Sequence, residues 1–92
     1  MTIDIRTVEL FDECKSLIDE RGKTHGPIEE TYKIIAGLWS IRVGVSIMPS
    51  DVCDMIEDMK WVRSKNKPNN HDNCTDGVNY KAFAYLLRER GL

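Results

Sequence analysis

Acidic side chains at helical spacing are the chemistry-bearing feature of this chain. Asp72 and Asp76 stand four residues apart, so on one helix both carboxylates point the same way. Asp51, Asp54 and Asp58 share one side of an earlier segment with Glu57 nearby, and Glu29 with Glu30 opens another. Carboxylates gathered from neighbouring helices can hold a magnesium ion, which takes oxygen ligands and keeps waters that a phosphate can replace. Glu29, Glu30, Asp72 and Asp76 form the candidate metal set. Lys60 and Arg63 follow the acidic part of their own helix, one helical step apart, where they could neutralise phosphate beside such a site. Each acid also has a plainer use: Asp72 as a helix cap, Asp51 against a helix dipole, Glu57 with Lys60 as a surface pair.

The connector RGKTHGP, residues 21 to 27, offers a second kind of chemistry. Its GKT is not a Walker loop, because that motif needs GxxxxGK[ST] on a strand-to-helix turn, and the position five before Gly22 is Leu17 in a helical stretch. Arg21, Lys23 and His25 are expected to form a phosphate-facing connector aided by the N-terminus of the next helix. The alternative is a glycine-capped turn with solvated charges. Zinc would require further His or Cys ligands at recognisable spacing around His25 or His71, and the sequence has none. Cys14, Cys53 and Cys74 lack paired spacing and read as free thiols in a reducing compartment. Trp39 and Trp61 fall in apolar helical patterns and read as core rather than as base-stacking platforms.

At 92 residues and 41% hydrophobic content, the chain supports one core and one domain. Burial within so small a protomer is incomplete, so self-association is expected. A net charge of −2 without a long run of either sign argues against a nucleic-acid-coating or membrane-surface role. With no signal peptide and no apolar run able to span a bilayer, a soluble, cytoplasmic protein is expected.

The elements that must position these groups are helical. Val8, Phe11, Cys14 and Ile18, with Leu10 and Leu17, recur at steps of three and four, and Gly22 is the expected end of that helix. Pro27 suits the first turn of a second helix, which runs through Tyr32, Ile35, Leu38, Trp39 and Arg42 to a stop at Gly44. Gly37 inside it costs up to about 1 kcal/mol relative to alanine, which a close helix crossing would offset. Pro49, Ser50 and Asp51 read as a turn and N-cap, and Val52, Met55, Ile56, Met59 and Val62 as the inner face of a third helix. Residues 64 to 73 read as a loop, and Val78, Tyr80, Phe83, Ala84 and Leu87 as a fourth helix. The expected fold is all-α, a compact four-helix arrangement completed by homo-oligomerisation.

Taken in order, RGKTHGPIEETYKIIAGLWS, MPSDVCDMIEDMKWVR and HDNCTDGVNY resemble a family of small phage and prophage domains of unknown function, over residues 16 to 83. Members carry an R...YG.P.(D/E)N(F/Y) segment, an IA.LW helix, a DV..MM..LK.AR helix and a closing D...D..GY. Here His25 replaces a frequent tyrosine, Thr31 an asparagine, and Asn79 the glycine before Tyr80. More distantly, paired acids followed by a K..R step are similar to the MazG-like all-α nucleotide pyrophosphohydrolases, which bind magnesium through EExxE and ExxD patterns and usually dimerise. Glu29 and Glu30 lack the third acid, and Asp72 with Asp76 stands in place of ExxD, so nucleotide binding carries over better than hydrolysis. The resemblance implies a phage protein in the host cytoplasm that sequesters a phosphorylated nucleotide or a nucleotide-derived defence signal without turnover. Arg21, Lys23, His25, Lys60, Arg63 and Tyr80 are the expected ligand contacts. The alternatives are a magnesium-dependent nucleoside triphosphate pyrophosphohydrolase and a helical protein-interaction module.

Overall fold

A computed structural model describes residues 2–92. Four helices follow one another: α1 (Ile3–His25), α2 (Ile28–Val43), α3 (Pro49–Asn66) and α4 (His71–Glu89), with no strand among the described residues. This is the all-α, four-helix arrangement that the apolar periodicity predicts. No helix among the described residues is long and apolar enough to cross a membrane.

Local chemistry sets the helix ends, and four of them differ from the sequence expectation. Thr2 caps α1, its hydroxyl accepting the Ile5 N–H at 3.2 Å. The helix then passes through Gly22 and stops at Gly26, whose φ of 79° and ψ of −177° lie where essentially only glycine is stable. An isolated glycine weakens a helix without ending it, whereas Gly26 followed by Pro27 leaves the chain no helical continuation. Pro49 is the first residue of α3, and Asp51 serves the preceding residue by accepting the Met48 N–H at 2.9 Å. The expected loop at 64 to 73 shortens to 67–70, because α3 runs on to Asn66 and Asn70 caps α4 by accepting the Asn73 N–H at 2.9 Å.

α4 is the hub of the packing. Antiparallel to it lies α3, with Ser50 beside Leu92, Asp54 beside Arg88 and Lys60 beside Asp76. α1 packs against the other side of α4, with Glu13 against His71 and Cys14 against Thr75 and Asn79. α2 and α3 form a hairpin closed by Ser40, whose hydroxyl accepts the Ile47 N–H at 2.8 Å and donates to the Ala36 carbonyl at 2.7 Å. Tyr32, Ala36, Val52, Cys53, Ala84 and Leu87 form the buried cluster, flanked by Ile35, Trp39, Ile56 and Phe83. The α1–α4 seam is more polar: Thr75 and Asn79 are buried there, and Asn79 Nδ2 donates to the Cys14 carbonyl at 3.1 Å.

Only part of the apolar surface assigned to the interior is covered. Val52 and Ile56 face the core, but Met55, Met59 and Val62 of α3, Leu38 of α2, and Val8 and Phe11 of α1 are exposed. Trp39 packs against the core as expected, whereas Trp61 is 61% exposed, with the Lys65 ammonium 4.4 Å from its ring centroid. Periodicity identifies an apolar face; it does not say which surface will cover it.

Candidate ligand site

Asp76 on α4 ties three helices together. Its side chain is only 10% exposed, and its two oxygens meet Arg21 of α1 at 2.7 Å and Lys60 of α3 at 3.0 Å. Burial pushes this carboxyl up, but the hydrogen bonds from Arg21 and Lys60 together outweigh it and hold it below the ordinary aspartate range. The same bond pushes the Arg21 guanidinium further up. Cys14 and Arg21 share one face of α1, and Asp76 and Asn79 share one face of α4; α1 meets α4 where Cys14 contacts Thr75 and Asn79, and the long Arg21 side chain reaches back to Asp76.

Two concavities abut at this ionic triad. A cavity of about 290 Å³ lies between α1, the start of α2 and α4, with Arg21, His25, Thr31 and Asn79 among its polar members. Its apolar wall includes Tyr32, Tyr80 and Phe83, whose ring centroids lie 6.0 to 6.5 Å apart in edge-on and tilted contacts. Burial, with a hydrogen bond to Tyr80, pushes the Tyr32 phenol well up, so it remains a neutral hydroxyl. A second, more open cleft of about 480 Å³ lies between the end of α3 and the start of α4. Lys60, Arg63 and Lys67 line it with Asp72, Asp76 and the amides of Asn66, Asn70 and Asn73, so cations outnumber carboxylates. The N-terminus of α4 adds the positive end of a helix dipole. Lys60 and Arg21 each commit one nitrogen to Asp76, leaving N–H donors on both for a ligand.

The residues singled out from sequence divide between these features. Arg21, His25 and Tyr80 line the aromatic cavity, and Lys60 and Arg63 line the cleft. Lys23 is exposed and lines neither. The reason is that the expected connector is the last turn of α1: Arg21 and His25, four apart, share a helix face that Lys23 does not.

The four acids proposed as one magnesium site separate. Asp72 and Asp76 line the cleft, but Glu29 pairs with Arg90 at 3.1 Å beyond the far end of α4, and Glu30 is exposed. The 19 residues of α4 rise by roughly 28 Å, so Glu29 and Asp72 lie at opposite ends of the molecule's central helix. Among the described residues, no group of three or more His, Cys, Asp or Glu side chains is placed to hold a metal ion. Spacing reports which acids share a helix face, not which helix ends meet.

Sequence reasoning did not name Lys67 among the ligand contacts, and it missed the cavity role of Tyr32, Phe83 and Asn79. The two aromatics carry only the signal of a core stripe. Asn79 carried a better one, an amide at a position where the resembling family has glycine.

A family model described as a domain of unknown function (DUF6378) matches residues 9–88 of the chain. No curated protein and no solved structure matches it.

Proposed function

The chain belongs to the DUF6378 family, and we propose that it binds a phosphorylated nucleotide-type small molecule and returns it chemically unchanged. One observation carries this reading: an aromatic, largely apolar cavity and a cationic cleft abut at the Arg21–Asp76–Lys60 triad. A planar base is suited to the walls of Tyr32, Tyr80 and Phe83, which supply flat apolar area at low entropic cost. Phosphate oxygens are suited to Lys60, Arg63 and Lys67 at the head of α4. Asp76 then acts as a positioning group, holding Arg21 and Lys60 where one ligand could reach both.

Hydrolysis is the weaker reading. Asp72 and Asp76 are the carboxylates of the cleft, and Asp76 is already engaged by two cations, against which a divalent ion would have to compete. Sequestration of a nucleotide-derived signal, the use implied by the sequence resemblance, needs the binding step alone.

Isothermal titration with nucleosides and with nucleoside mono-, di- and triphosphates, each with and without magnesium, tests the proposal. Saturable binding of a phosphorylated compound, recovered intact by chromatography after the protein is denatured, is expected. Release of pyrophosphate would replace the binding protein by an enzyme, and equal affinity for nucleoside and nucleotide would remove the cleft from the site. Absence of binding across the panel would overturn the reading.

A further inference from the structure

We propose that the outer face of α2 is a self-association surface and that its occupant is the same face of a second copy of this chain. Ile34, Leu38 and Ile41, continued by Val45 just beyond the helix, recur at steps of four, three and four, and they are 62%, 56%, 82% and 63% exposed. They lie on the side of α2 opposite Tyr32 and Ala36, the residues that face the protomer's own core. Alternating steps of three and four set these side chains in one continuous apolar stripe along the helix.

Two further observations identify the occupant. The chain exposes 6646 Å², whereas a monomer of 10.6 kDa ordinarily exposes roughly 5,500 Å². That surplus of about 1,200 Å² is of the size that one stable interface covers on each partner, about 800 Å² or somewhat more. A single two-fold contact, in which the same patch serves both copies, covers an area of that order. The second observation is Gly37. It stands mid-helix and exposed beside Ile34 and Ile41, and a Cβ built there meets nothing within 4 Å. No crossing within the protomer explains a glycine at this point of α2. Passage of the partner's α2 over it does, because glycine lets two helix backbones approach closely. Met55, Met59 and Val62, exposed on the hairpin partner α3, supply further apolar area for the same kind of cover.

Sedimentation equilibrium and circular dichroism of the full chain test the proposal, independently of whether any nucleotide binds. The wild type should sediment at twice its 10.6 kDa. Leu38→Asp with Ile41→Asp should halve that mass while helicity is retained. Gly37→Leu is the sharper variant: within the protomer its side chain enters open space and improves helix propensity, so it should leave the helices intact and still produce a monomer. Should the double aspartate variant fail to fold, Gly37→Leu decides alone. A monomeric wild type, an assembly larger than two chains, or a dimer that survives Gly37→Leu would each overturn the proposal.

Discussion

Replacing Asp76 by asparagine removes the one charge that two cations share while nearly preserving side-chain volume. The Lys60 contact is the better shielded, with 17% of the lysine side chain exposed against 43% for Arg21. A charge-assisted bond at the lysine's degree of burial contributes about 1.5–2 kcal/mol, and the more hydrated arginine bond at most about 1 kcal/mol. The loss also leaves Lys60 partly desolvated without a counter-charge, so the total at neutral pH is about 2–3 kcal/mol. For a domain of 92 residues this lowers Tm by roughly 10–20 °C. The pH dependence is the stricter test. Because the folded-state carboxyl is held below its ordinary value, its stabilisation is complete above the unfolded aspartate pKa of about 3.9 and disappears as pH falls through the lowered folded value. Thermal unfolding by circular dichroism should therefore separate wild type and variant fully at neutral pH and bring them together in acid. A difference under about 0.5 kcal/mol at neutral pH, the scale of an ordinary surface pair, would refute this account. So would a gap that stays undiminished at the lowest pH at which both chains fold.

Arg63 lines the cleft without an ion pair among the described residues, so Arg63→Ala isolates its effect on a ligand. Affinity for a phosphorylated nucleotide should fall roughly tenfold with Tm unchanged, and unaltered affinity would remove Arg63 from the site. Gly26→Ala forces a side chain onto φ 79° and should cost about 1–3 kcal/mol in urea unfolding; an unmoved midpoint would contradict the glycine requirement. Burial pushes the Cys53 thiol up to about 12 and Cys14 upward as well, whereas Cys74 is exposed. A thiol reagent at mildly alkaline pH should label Cys74 promptly and the other two only on unfolding, as counted by mass spectrometry; a second fast label would contradict their burial.

The helices were legible because apolar residues recurring at three and four mark a face wherever it ends up. Their ends were harder to read. Gly22 and Gly26 look alike in sequence, and it is the backbone angle at Gly26, with Pro27 behind it, that stops α1. Lys60 and Arg63 were correctly paired as neighbours on one helix, since a single step decides that. The partner of Asp76 could not be read the same way: Arg21 lies 55 residues away, and only the docking of α1 on α4 brings the two together. Asp72 at i−4 was the visible companion and shares the cleft, but no bond between the two is formed. The aromatic wall was hidden for a related reason, because Tyr32 and Phe83 serve the core and the cavity with the same rings.

Of all 23 residues of α1, Cys14 alone is buried, yet this helix roofs the rings of the cavity and delivers Arg21 to it. The roof is thus held by few buried contacts, and a ligand that touches both Arg21 and Tyr80 would add a further tie between α1 and α4. Slowed amide exchange along residues 3–25 is accordingly where occupancy would first register.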